Sequence, residues 1–212
     1  MFEKILETLP GYSEKYALVP GYDQHLVAEV QERLKQLDSI LIRIRELERS
    51  DEDAQRRVQT AGTKVSAAMI AGGIRSQATP DSLLDDINNM WRHSEKVYTE
   101  LKTQTESFYY NAWRIYSITR GQRHKLKPLP EVSFTCKGVR EVRNHLIEHS
   151  DRDDSGIVAQ SFASGGATGP VIKPGRPAGQ PTKFQDRGLL LNAREFAANL
   201  LFGLETAISK KP

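Results

Sequence analysis

The chain has a single cysteine, Cys136, among its 212 residues. One thiol can form neither a disulfide within the chain nor a cysteine metal cluster. Disulfide-stapled and zinc-ribbon classes are therefore excluded, and a reducing cytoplasmic setting is expected. No apolar run approaches the length of a membrane-crossing helix, so a membrane is not expected among the partners. The opening residues, Met1-Phe2-Glu3-Lys4, include an acid and lead into no signal-peptide-like apolar stretch. Strand signals are nearly missing, with 131–135 the one candidate. Phosphate-cradling glycine loops, nucleophilic serine constellations and dinucleotide fingerprints are missing as well, since Gly72-Gly73 and Gly165-Gly166 are isolated pairs.

Acidic residues are missing from one stretch in particular. Between Ser107 and Pro130 there is no Asp or Glu, while Arg114, Arg120, Arg123, His124, Lys125 and Lys127 all fall there. Lys137, Arg140 and Arg143 follow closely. A net charge of +3 for the whole chain is too small to name a polyanionic partner, but its local concentration argues for phosphate. The expected RNA-binding set is Arg120, Arg123, Lys125, Lys127, Lys137 and Arg140. A solvated helix end, where cations are common, is the competing explanation.

What is present is helical periodicity. With 38% hydrophobic and 27% charged residues the composition is that of an ordinary globular protein. After a short segment from Phe2 to Leu9, turns are expected at Pro10-Gly11 and Pro20-Gly21. Asp23 then has the character of a helix N-cap. Val27, Val30, Leu34, Leu37, Leu41 and Ile44 recur at steps of three and four, an amphipathic helix close to a heptad seam. The pattern extends past Ser50 toward Ala71, with Gly62 as a candidate break and Gly72-Gly73 as the stop. Thr79-Pro80 opens a second long helix, whose stripe runs through Leu84, Ile87, Trp91, Val97, Tyr98, Leu101, Phe108, Ala112 and Ile115 to about Arg120, with Gly121 as its stop. Its aromatic second half, Phe108, Tyr109, Tyr110, Trp113 and Tyr116, is read as packing in the first instance and as base-stacking in the second.

A third helix is expected from Cys136 or Lys137, with Val139, Val142, Leu146 and Ile147 on its apolar face and Asp151, Asp153 and Asp154 marking its end. The segment 161–180 is rich in Gly, Pro, Ser and Ala and lacks any packing period. A final helix carries Leu189, Leu190, Leu191, Phe196, Leu200, Leu204 and Ile208. The expected fold is an all-α bundle of four to five helices in a single domain, 1–212. Within it, 1–22 is an N-terminal extension, 23–149 holds the long helices and the third helix, 150–187 is a flexible loop, and 188–209 is the final helix.

The densest chemistry lies in Arg143-Asn144-His145-Leu146-Ile147-Glu148-His149. At about 100° per residue, Arg143 and His149 flank the apolar face on its two shoulders, while Asn144 and Glu148 point away. A histidine near neutral pKa can take a proton from a ribose 2′-hydroxyl or give one to a leaving oxygen, and an arginine can hold the charge that builds on phosphate oxygens. One copy of each is thin for a nuclease, whereas two copies across a twofold axis would supply an acid, a base and two cations. His145 and His149 have the i, i+4 spacing of a helical metal pair, but no convincing ligand set accompanies them, and no metal or cofactor is expected.

Arg143-Asn144 followed by His149 resembles the Arg, polar residue, four variable residues, His pattern of HEPN domains. The resemblance implies an all-α bundle with the long Gly/Pro-rich loop as a departure from the compact form. It also implies a metal-independent endoribonuclease with a composite site across a homodimer, serving as a toxin or as a phage-defence or stress-response effector. Its partners would be RNA and an antitoxin or other partner protein. It makes Arg143 and His149 catalytic and Asn144 a supporting polar residue. Some members of the family only bind nucleotides, RNA or partners, which leaves a non-catalytic module as the alternative. A purely structural helical protein, with its first two long helices in a coiled coil, is the third reading.

Overall fold

The computed structural model of the protein describes residues 1–71, 81–120, 129–148 and 188–210. These form five helices: α1 (Glu3–Tyr16), α2 (Gln24–Ala71), α3 (Asp81–Arg120), α4 (Lys137–Glu148) and α5 (Leu189–Ser209). No strand occurs among the described residues, and the architecture is an all-α bundle. The expected Thr79-Pro80 cap, the Gly72-Gly73 and Gly121 stops, the Asp151–Asp154 boundary and the 150–187 loop lie outside the described residues.

α2 starts where the sequence places its cap. Asp23 Oδ1 accepts the backbone N–H of His25 at 2.9 Å and of Leu26 at 3.3 Å, satisfying donors the first helical turn cannot. The seam Val27, Val30, Leu34, Leu37, Leu41 and Ile44 is buried throughout. It packs against Leu101, Phe108, Ala112 and Ile115 of α3. Polar ties set an antiparallel register, each partner advancing along α2 as it retreats along α3. They are Glu29 with Arg114 at 2.9 Å, Arg33 with Asn111 at 2.7 Å, Arg43 with Glu100 at 2.7 Å and Ser94 with Asp51 at 2.6 Å. The hydrogen bond from Arg114, with Arg33 in support, holds the Glu29 carboxyl below its ordinary range. No break occurs at Gly62, because α2 is continuous through it and space beside it is open.

At about 1.5 Å of rise per residue, the 48 residues of α2 and 40 of α3 make rods of roughly 70 and 60 Å. The other three helices cover only one end of this pair. Past Asp51 on α2 and before Val97 on α3, no side chain is buried among the described residues.

The turn expected at Pro10-Gly11 does not form. α1 runs straight through it, with Pro10 on its exposed face. Proline inside a helix forfeits a hydrogen bond and crowds the preceding turn. Tertiary burial outweighs that cost here: Ile5, Leu9, Tyr12 and Tyr16 share one buried face. Tyr12 donates its hydroxyl to the Pro130 carbonyl at 2.8 Å, and Tyr16 donates to Ala207 at 2.6 Å. The Lys15 ammonium caps the end of α5 through the carbonyls of Ala207, Ile208 and Lys210. The second expected turn is present, with Gly21 at a φ of 91° that favours glycine.

The strand candidate 131–135 is instead an irregular crossing that delivers the chain to α4. It inserts Val132 and Phe134 toward the core, and its Thr135 carbonyl accepts from Asn199 at 2.9 Å. α5 passes so close that a Cβ on Gly203 would stand 2.8 Å from the Ser133 carbonyl oxygen. This approach leaves no room for strand pairing on that side. The rings of Phe2, Phe196, Phe134 and Tyr116 link α1, α5, the crossing and α3 in a run of edge-on contacts.

Candidate functional site

α4 is short and firmly seated. Arg140 donates its backbone N–H to the Cys136 carbonyl at 2.9 Å, which makes Cys136 the residue that opens the helix. Gly138 meets α5 face to face, where a Cβ would fall 2.5 Å from Asn192 Oδ1. Asn192 is itself held by its side-chain amide, which donates to the Tyr109 hydroxyl at 2.7 Å. Val139 and Val142 are buried, as the apolar face requires. The helix is thus fixed on α3 and α5, and the direction of Arg143 follows.

Arg143 lies over α3. Its guanidinium carbon is 5.3 Å from the centroid of the Trp113 ring, a cation–π arrangement. Its Nη1 donates to Asn144 Oδ1 at 3.3 Å, while its Nε is buried without a partner. Asn144, expected to point away, is half-buried and turned to its neighbour. Trp113 touches Tyr116, with ring centroids 5.3 Å apart. Arg120 closes the row. Its guanidinium carbon is 5.7 Å from the Tyr116 ring centroid, and its Nη1 donates to the Tyr116 hydroxyl at 3.0 Å. The sequence Arg143, Trp113, Tyr116, Arg120 is therefore a continuous array across the α3–α4 contact.

Among the described residues, no carboxylate forms an ion pair with Arg120, Arg140 or Arg143. Other members of the basic stretch differ. Arg114 is taken by Glu29 at 2.9 Å, and Lys137 faces Glu141 at 3.9 Å, an exposed pair of little energetic weight. The Cys136 thiol feels two of these arginines. Burial pushes it up to about 12, while Arg140 and Arg120 both pull it down and Glu195 pushes it further up. A thiol held so high is no nucleophile.

The structure thus brings Arg143, Asn144, Arg120 and Arg140 to one region and leaves Lys137 paired on the helix surface. His149, Arg123, Lys125 and Lys127 lie outside the described residues, as does the side chain of His145. Among the described residues, no group of three or more metal-ligating side chains occurs. Tyr116 is buried and Trp113 half-buried against the core, as the packing reading expects. Trp113, Tyr116 and Arg120 follow at i, i+3 and i+7, which places them on one face of α3.

A second polar cluster sits where the α2–α3 pair leaves the bundle. Ser50 Oγ and His93 Nε2 are 3.1 Å apart beside an open groove of about 530 Å³ lined by Asp53, Arg57, Asp86 and Asn89. Asp51, the buried carboxylate nearest in sequence, is committed to Ser94 and to Gln55. Among the described residues the pair is not completed into a nucleophilic triad.

Compared with known proteins, the chain matches no family model, no curated protein and no solved structure.

Proposed function

We propose that this chain is a metal-independent endoribonuclease of the HEPN type, with a site composed across a homodimer. The observation that supports it best is Arg143. It sits midway along α4 over an aromatic ring, with no acid paired to it among the described residues and Asn144 bonded to it, and His149 follows six residues on in the sequence. An all-helical bundle is the context that this motif has in the family it resembles.

The chemistry follows from these groups. One His149 takes the proton of a ribose 2′-hydroxyl, and the 2′-oxygen attacks the adjacent phosphorus. The 5′-oxygen leaves with a proton from the second His149, giving a cyclic phosphate and a free 5′-hydroxyl. Arg143 balances the charge on the non-bridging oxygens as it builds, which is where a fixed cation accelerates the step. Arg120 and Arg140 extend the positive surface along the strand.

The test is incubation of single-stranded RNA with the purified protein in EDTA. Wild type should cut. His149→Ala should cut at least about a hundredfold more slowly, the usual size of a lost general acid–base group. Equal decay with both proteins, or none with either, would sink the nuclease reading. Expression of wild type, but not of Arg143→Ala, should slow growth.

One observation favours a second reading, a non-catalytic HEPN-like module that binds a partner. The far part of the α2–α3 pair presents Ile70, Leu84 and Trp91 to solvent, with Trp91 65% exposed. Exposed apolar groups of this size are common at protein-binding surfaces. RNA binding that falls steeply with salt, without cleavage, would select this reading.

A further inference from the structure

A nuclease of this type must still distinguish an unpaired strand from a duplex, and phosphate contacts alone do not make that distinction. Both forms present phosphates, but only the unpaired strand presents the faces of its bases. The described surface near Arg143 carries both kinds of feature. Trp113 is half-buried, so part of its indole remains open to solvent. Arg143 lies over its ring, Tyr116 lies beside it, and Arg120 closes the far end. The two guanidiniums lie over π-systems, and among the described residues neither is neutralised by a carboxylate. Arg143 donates only through Nη1, and only to Asn144, leaving Nη2 uncommitted among the described residues.

The cation–π contacts are favourable in themselves, but the buried Arg143 Nε is left without an acceptor, which costs stability. Aromatic planes and arginine planes are the surfaces on which unpaired bases stack, while guanidinium edges match phosphate oxygens in pairs. The nearby Tyr110 offers a contrast. It is 61% exposed on the same helix, but its cation neighbour is Arg33 of α2, which is already bonded to Glu29 and Asn111.

We propose that the Trp113–Arg143 pair, extended by Tyr116 and Arg120, is a binding site for unpaired nucleotides of single-stranded RNA. A base stacks on the ring–guanidinium surface, and the flanking phosphates are held by Arg143 and Arg120. The proposal rests on the nuclease reading for the identity of the ligand, but it does not depend on cleavage.

The chain has two tryptophans, so Trp91→Phe leaves Trp113 as the only indole reporter. In a Trp91→Phe, His149→Ala protein, a short unstructured RNA strand should quench the Trp113 fluorescence to saturation. The same strand annealed to its complement should bind about tenfold more weakly or worse, the size expected for loss of one base stack. Labelled-strand anisotropy then compares substitutions in the full chain. Trp113→Leu should weaken binding by about tenfold and Trp113→Phe by much less, since a smaller ring keeps the stacking face. Tyr110→Leu should bind as the parent does. The Trp113→Phe comparison separates stacking from folding, because both Trp113 substitutions remove bulk but only one removes the ring.

Strand and duplex binding equally, binding without a change in Trp113 fluorescence, or no binding of either RNA would each overturn the proposal. The nuclease reading fails separately. A strand that quenches Trp113 but is never cut by the protein with His149 intact removes cleavage and leaves the site. A strand that is cut while Trp113 stays unquenched does the reverse.

Discussion

On one side of Asp51 the α2–α3 pair is wrapped by α1, α4 and α5; on the other, no further described helix covers it. The wrapped part buries Leu34, Leu37, Ile44, Leu101 and Phe108 completely. The lone part exposes Ile70 at 83% and Trp91 at 65%. The apolar spacing is similar in both, because Leu84, Trp91 and Tyr98 continue the stripe that holds Leu101 and Phe108. Periodicity therefore sets which face of a helix is apolar, but a third helix decides whether that face is removed from water. Here the two antiparallel helices only half-bury their apolar side chains, as at Val58 and Ile87, and the rest stays wet.

The largest expected effect tests this contrast directly. Phe108→Ala should cost about 3–5 kcal/mol of unfolding free energy in urea, the usual range for a large ring deleted from a packed core. Trp91→Ala, a larger deletion by volume, should stay within about 0.5 kcal/mol, as exposed substitutions do. Equal losses would erase the distinction between the two parts.

The boundary between them has its own expected signature. Glu48 is nearly buried, with one carboxylate oxygen lacking a partner. Burial, helped by Glu52 and opposed by Arg45, lifts its pKa from 4.5 to about 7. The folded state thus favours the protonated carboxyl. Its contribution is complete below 4.5 and is lost as the pH rises through about 7. Above that window Glu48→Gln should be the more stable protein, by on the order of 3 kcal/mol, and below it the two should converge. Urea titrations on both sides of the window check the sign. A difference that does not change with pH would mean that the junction is wetter than its burial implies.

The smallest effect probes the lone part. Gly62 sits inside α2 with no atom near its missing Cβ. Gly62→Ala should stabilise by about 1 kcal/mol, the helix-propensity difference between the two residues. If the long pair melts with the bundle, the whole thermal transition moves up. If it frays separately, only an early loss of helical ellipticity moves, which would place a cooperativity boundary near Asp51.

Much of the fold could be read from the sequence where the signal was local. The Asp23 cap, the seam from Val27 to Ile44, the Pro20-Gly21 turn and the final helix depend on neighbours within a few residues. α1 was obscured because Pro10-Gly11 is a strong local turn signal, and the contacts that override it come from Pro130 and Ala207, more than a hundred residues away. The site divides in the same way. Arg143 and Asn144 stood out by type and position, and Arg120 and Arg140 by the lack of acids near them. Which basic residues were already spoken for was not visible: Arg114 belongs to Glu29 of a different helix. Nor could periodicity separate Trp113 from its buried neighbours, because the difference is that Arg143 of α4 arrives above it.

The hold of Lys15 and Tyr16 on the end of α5 bears on the order of events during synthesis. These contacts join residues separated by more than 190 positions. Until α5 leaves the ribosome, the apolar face of α1 has lost its largest partner and the C-terminal carbonyls it caps do not yet exist. α2 and α3 can pair meanwhile through contacts closer in sequence. The bundle end of the molecule is then the last to close, and a pause before α5 would leave Ile5, Leu9, Tyr12 and Tyr16 open to chaperones or to aggregation.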